Sequence, residues 1–225
     1  MKKCVLALLA TLAAASAVPA FAQVKITEVS AWGSGNAPYA SDWFELTNFG
    51  PSTVSITGWK MDDNSNSFAA AVALTGISSI AAGESVIFTE SAVNASFLST
   101  WFGANPPAGL QIGNYTGGGV GLSTGGDAVN IYNAAGVLQA NVTFGTSDAS
   151  SPFQTFDNST GLDNTSISQL SLAGINGAFV ATNDTGEIGS PGLTASVTAV
   201  PEPEIYVLLL SGLGLMSGVA RKRLA

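Results

Sequence analysis

From Gln23 to Val200 the apolar residues come in short runs, alternating with polar ones and separated by Gly, Asn, Ser and Asp. No stretch of these 178 residues keeps a helical period of 3.6 for long. A chain with that pattern buries its apolar side chains by pleating them onto one face of a strand, so an all-β domain is expected. The length suffices for one domain with a sizeable core. Expected strands are Val24–Val29, Trp43–Asn48, Thr53–Lys60, Ser85–Glu90, Ala128–Asn133 and Val137–Phe144. Alternation is plainest at Val54 and Ile56, Val129 and Ile131, and Val142 and Phe144, as in half-buried strands. Asn133-Ala134-Ala135-Gly136 predicts a hairpin connection, because Asn and Gly tolerate left-handed backbone. Several short strands at this spacing predict a sandwich or barrel. One segment departs. Asn94–Phe102 sets Phe97, Leu98, Trp101 and Phe102 on one face of a short helix, with Asn94 as N-cap and Pro106-Pro107 beyond it,. Its aromatic face is expected to act as a lid over one end of the sandwich.

The two ends of the chain have a different character. Met1 to Ala22 carries Lys2 and Lys3, an apolar run and Ala20-Phe21-Ala22. These are the three parts of a secretory signal peptide, with cleavage expected before Gln23 by signal peptidase. The single cysteine, Cys4, would leave with it, so the exported part has no disulfide and must rest on a packed core,. At the other end Ile205 to Ala220 holds sixteen residues without a charge. As a helix they cover about 24 Å, short of the roughly 30 Å hydrocarbon core. The span reaches if Tyr206 sits at the interface and the basic residues snorkel. Arg221, Lys222 and Arg223 follow directly, and Glu202 and Glu204 precede it, which predicts a cytoplasmic C-terminus and an exported domain,. Expected limits are therefore 1–22 for the signal, 23–195 for the domain and 196–225 for the tail, with a transmembrane helix at 205–220 and a basic end at 221–225.

Charge and residue types narrow the chemistry. Lys25 and Lys60 stand against thirteen acidic residues between Gln23 and Val200, leaving that part at −11, while the whole chain is at −8. Such a surface repels nucleic acid and suits solubility outside the cell. There is no histidine, which removes the usual general base and zinc ligand, and no exported cysteine for thiol catalysis. A glycosidase needs only two carboxylates. Asp42 and Glu45 are candidates, but three residues apart on a strand they point to opposite faces, which favours a turn residue and a partly exposed strand residue. For a ligand the best stretch is Met61-Asp62-Asp63-Asn64-Ser65-Asn66-Ser67. Asp62, Asn64 and Asn66 alternate as at the start of a calcium loop, yet Ser67 replaces its glycine and Ala73 its closing glutamate. Ordinary turn chemistry is the stronger reading, and no cofactor is expected.

Two resemblances add to this. Val200-Pro201-Glu202-Pro203, the apolar span and the terminal Arg221-Lys222-Arg223 resemble the PEP-CTERM sorting signal of Gram-negative bacteria. The resemblance implies recognition by a membrane-embedded exosortase, processing near Pro201, Glu202 and Pro203, transit through the inner membrane and association with exopolysaccharide or biofilm matrix. Two prolines make a stiff, extended segment that an enzyme can grip. Separately, Ile26–Val29, Asp42–Asn48, Gly58-Trp59, Gly83–Phe88, Gly126–Tyr132 and Gly189-Ser190-Pro191-Gly192 resemble the lamin tail domain. That implies an immunoglobulin-like β-sandwich with no catalytic site, with Trp43 and Trp59 as core or edge aromatics and Gly126-Asp127 in a turn. Gly103–Gly125 and Ser150–Val180 depart from a minimal domain of that kind and read as decorations. The resulting expectation is a non-enzymatic surface or matrix protein. The alternatives are a membrane-tethered periplasmic module that binds carbohydrate or calcium and, more distantly, a carboxylate-based hydrolase. Trp32, Tyr39 and Trp101 exposed together would mark the sugar binder.

Overall fold

The structure is a computed structural model and describes residues 24–148 and 150–193. The signal and tail residues, namely Ala20, Ala22, Gln23, Pro201, Glu202, Pro203, Arg221, Lys222 and Arg223, lie outside the described residues. Among those described, no helix is long and apolar enough to cross a membrane.

In chain order the elements are β1 (Val24–Ser30), α1 (Gly33–Asn36), β2 (Trp43–Asn48), β3 (Val54–Ser55), β4 (Lys60–Asp62), β5 (Val72–Thr75), β6 (Ser79–Ile80), β7 (Ser85–Thr89), α2 (Asn94–Phe102), β8 (Gln111–Tyr115), β9 (Asp127–Tyr132), β10 (Leu138–Phe144), β11 (Phe153–Gln154), β12 (Phe156–Asp157), β13 (Thr165–Ile167), β14 (Phe179–Val180) and β15 (Glu187–Gly189). Ten strands hydrogen-bond in the order β12-β1-β2-β7-β8-β5-β4-β9-β10-β13. β5 is the corner. Leu74 and Thr75 pair with β8, while Val72 and Ala73 pair with β4, so one strand passes from the first layer to the second. The inward residues of both layers share one core, with Ile26, Phe44, Leu46 and Phe88 from one side and Met61, Val129, Ile131 and Val142 from the other.

Two short elements follow from local chemistry. The expected strand Thr53–Lys60 is broken. Gly58 takes φ +77°, a left-handed turn that no strand continues through, leaving β3 and β4 as separate pieces. On β1 the register with β2 shifts between Ile26 and Glu28. That bulge sends two consecutive polar residues, Thr27 and Glu28, away from the core before Val29 turns inward again,.

The helix forms at Asn94–Phe102 as its spacing predicts, with two corrections. Val93 is the N-cap, and Asn94 is instead tied to β8, donating from Nδ2 to Ile112 O and accepting from Asn114 Nδ2. Nor does the helix lie over an end of the sandwich. β7 and β8 pair in parallel, and parallel neighbours need a crossover. α2 is that crossover, and it lies across the outer face of the sheet. There Phe97 and Trp101 pack on Trp43, Ile87 and Tyr39 in a second core that also takes Trp32, Phe102 and Ala181. The segments expected to be decorations are part of the fabric. Gly103–Gly125 contains β8, inside the ten-stranded order, and Ser150–Val180 supplies both of its ends, β12 and β13.

Candidate functional site

The calcium-loop residues do not converge. Asp62 accepts from Ser65 Oγ at 2.7 Å and Ser67 N at 2.6 Å through Oδ2. Asn64 offers its backbone N–H to Asp127 Oδ1. Asn66, at φ +47°, accepts from the Tyr132 hydroxyl. Asp62 thus shapes its own turn, while Asn64 and Asn66 are tied to β9,. Within this stretch Asp62 Oδ1 is buried without a donor. Among the described residues no group of three or more acidic, histidine or cysteine side chains is placed to hold a metal ion.

Trp32, Tyr39 and Trp101 do not form the exposed platform that would mark a sugar binder. They are sealed in the outer core at 0 %, 2 % and 0 % exposure. Asp42, in the loop before β2, and Glu45, on β2, are both buried, so Glu45 is not the partly exposed strand residue expected. Asp42 accepts from Ser34 N and Oγ, and burial pushes its carboxyl up to about 6. Gly126, at φ +109°, does make the turn expected before β9.

The chemistry that is unusual lies elsewhere. Glu28 on β1 and Glu45 on β2 are opposite each other in register, and both lie on the outer face at 0 % and 1 % exposure. Glu28 accepts from Thr155 Oγ1, from Ser190 N at 2.7 Å and from Ser190 Oγ at 3.1 Å. Glu45 accepts from Thr27 Oγ1 at 2.6 Å and Gly192 N at 2.7 Å. A third acid, Glu187 on β15, is at 0 % exposure and accepts the Tyr39 hydroxyl at 3.1 Å. The same hydroxyl oxygen receives the indole N–H groups of Trp43 and Trp101. Burial pushes Glu28 up to about 8, with the charge of Glu45 adding to it against the hydrogen bonds from Thr155 and Ser190. Burial also pushes Glu187 up to about 8, opposed by the Tyr39 hydrogen bond and reinforced by Asp184. Near neutral pH both are held largely as neutral acids.

Could such a pair hydrolyse a glycoside? The residue types suffice, but among the described residues both side chains are buried. Gly189 seals the layer. A Cβ there would lie 2.7 Å from Glu28 Oε1 and 2.9 Å from the Trp101 ring, so only glycine lets β15 come this close,. A groove of about 220 Å³ between β12 and β13 contains a single carboxylate, Asp157. Both of its oxygens are occupied, by Ser159 N and Asn176 Nδ2.

The layout can now be set beside known proteins. The lamin tail domain profile matches residues 17–146. The chain belongs to the lamin tail domain family. No curated protein and no solved structure matches it. The family's immunoglobulin-like sandwich accounts for the two-layered core and for the order of its early strands. Here the lamin tail domain is completed by residues beyond the matched stretch: Thr155, Ser190 and Gly192 supply most of the donors to Glu28 and Glu45. The sequence did offer a signal for this layer. Glu28 and Glu45 sit inside apolar strand runs, in a segment with only two lysines to neutralise them.

Proposed function

We propose that this lamin tail domain protein is an exported, non-enzymatic component of the cell surface or extracellular matrix, sorted through its C-terminal tail by an exosortase. One observation carries the reading: Val200-Pro201-Glu202-Pro203, an uncharged span at 205–220 and Arg221-Lys222-Arg223 stand in that order behind a segment opening with Lys2, Lys3 and Ala20-Phe21-Ala22. The domain's character is consistent with it. Its aromatic side chains are used as packing, its carboxylate pair is sealed, and the net charge of −11 between Gln23 and Val200 favours solubility in a hydrated matrix,. Exopolysaccharide is the matrix partner in this proposal, with signal peptidase and exosortase as the processing enzymes. The test is intact mass of the protein from native cells separated into membrane, surface and medium. The expected species starts at Gln23, ends near Pro201 and is found outside the inner membrane. A species retaining residues 205–225 in the inner membrane would replace this reading with a permanently tethered periplasmic domain.

A second reading, a calcium-binding module, rests on Asp62 Oδ1, a buried carboxylate oxygen without a donor at the head of an Asp-Asn-Ser turn. A rise in Tm with millimolar calcium that Asp62→Asn abolishes would support it.

A further inference from the structure

The two ends of the ten-stranded order, β12 and β13, border the groove of about 220 Å³. Three segments make its walls. The loop after β12 supplies Ser159, Thr160 and Leu162, β13 and the residues after it supply Ser166, Ser168 and Gln169, and a turn supplies Asn176. These walls are fixed. Asn158 staples its own loop, accepting from Leu162 N at 3.1 Å and donating to Leu162 O at 2.9 Å, and a second bond from Nδ2, to Ile26 O, ties the loop to β1. Gly161, at φ +66°, presses the same loop onto Phe49, where a Cβ would lie 3.0 Å from the ring. Asp157 joins all three segments. Its carboxylate receives Ser159 N and Asn176 Nδ2, both at 2.8 Å, and its N–H donates to Gln169 O at 2.8 Å.

We propose that this groove holds one ring of a neutral polysaccharide. The inference rests on the exopolysaccharide partner proposed above and gives that contact a place and a chemistry.

Charge rules out the other small polar ligands. An anion needs a cation, and between Gln23 and Val200 only Lys25 and Lys60 are basic. Neither lines the groove, and Lys25 is committed to Asp163 at 2.9 Å. Hard metal ions gather six to eight oxygen ligands, several of them carboxylates. Asp157 is the single carboxylate here, and both of its oxygens already accept. What the groove offers is neutral and two-sided. Thr160, Ser166 and Ser168 carry hydroxyls and Gln169 an amide, all exposed, and each both donates and accepts,. Sugar hydroxyls have the same double capacity. Leu162, 56 % exposed, adds an apolar edge for the C–H face of a ring,. Because Asn158 and Asp157 already hold the walls, little has to be ordered on binding. The volume falls below the roughly 300–1,000 Å³ of a pocket that encloses a drug-sized ligand, so it suits one ring. A single ring held this way binds weakly. A polymer, which presents the same ring many times, gains by effective concentration, and that makes a matrix polysaccharide the occupant.

The experiment is native affinity electrophoresis of the full chain in a sugar-free neutral detergent. The gels contain a soluble neutral glucan, a neutral mannan, a neutral galactan or, as the charged comparison, a polyuronate. Retardation by at least one neutral polymer is expected, with none by the polyuronate. Ser168→Ala combined with Gln169→Ala removes two exposed partners and should weaken that retardation by about fivefold. Ser166→Leu fills the groove with an apolar side chain and should do the same, so the outcome does not hang on one variant. Circular dichroism checks that each variant folds. Free passage through all three neutral gels overturns the proposal. So does retardation that the folded variants leave unchanged, and so does a polyuronate that retards as strongly as the neutral polymers. The sorting proposal is judged separately by intact mass: a chain that keeps its tail leaves the groove result standing, and a groove that binds no sugar leaves the sorting result standing.

Discussion

Tyr39 Oη takes the indole N–H groups of Trp43 and Trp101 at 3.1 and 3.3 Å and gives its own proton to Glu187. Tyr39→Phe removes one oxygen and leaves three buried polar groups short of a partner. An orphaned buried group costs about 1–3 kcal/mol, and some of these will find alternatives, so a loss of roughly 2–4 kcal/mol in urea unfolding is expected. A value near zero would mean that the hydroxyl is not the hub of the layer. None of this could be read in the sequence. Tyr39 lies in the loop before β2, its acid partner is 148 residues away, and no local pattern links them. Glu28 differs. A glutamate among Ile26, Val29 and Ala31 in an apolar strand run is a local anomaly, and weighing it as such would have pointed to the outer layer.

At the scale of elements, what was legible followed length and period. β2, β7, β9 and β10 have at least five residues each, enough to show an apolar run or an alternation, and all four lie close to where the sequence placed them. β11, β12 and β14 have two residues each, too few to show any period, and they exist because longer strands offer them an edge. The helix was visible but its role was not, since a crossover is defined by the parallel pairing of β7 with β8. The dependence of β15 on Gly189 supplies a test at this scale. Gly189→Ala drives a methyl group into Glu28 Oε1 and Trp101. The side chains on either side are fixed, so β15 must lift. Trp32, Trp43 and Trp101 lie in the outer core and Trp59 in the inner one, so tryptophan fluorescence reports mainly on the outer layer. The expected result is a red-shifted, more quenchable emission with the β signal in far-ultraviolet circular dichroism retained. Unchanged emission would show that β15 accommodates a Cβ and that the close approach is not a constraint.

Across the whole molecule the acids decide how stability varies with pH. Burial raises Glu28 and Glu187 to about 8 and Asp42 to about 6. Asp163 runs the other way. Burial would raise it, but the Lys25 hydrogen bond and charge hold it below its ordinary value. For the raised groups the folded chain binds protons that the unfolded chain has released, so stability is fully present below about 4.5 and is lost as pH rises through 6 and then 8,. The Asp163 contribution is present above the ordinary aspartate range and is lost only in stronger acid,. Three raised groups against one lowered group place the optimum on the acid side of neutrality. Each tenfold difference in proton affinity between folded and unfolded chains is worth about 1.4 kcal/mol. A domain of this size shifts by about 2–4 °C per kcal/mol. Calorimetry at constant ionic strength should therefore show Tm falling steadily between about pH 5 and about pH 9. Glu28→Gln combined with Glu187→Gln should flatten most of that slope, because an amide keeps the shape of the neutral acid and cannot ionise. A Tm that is level or rises towards pH 8 would mean that the two glutamates are already charged in the folded chain, against the direction in which burial drives them,.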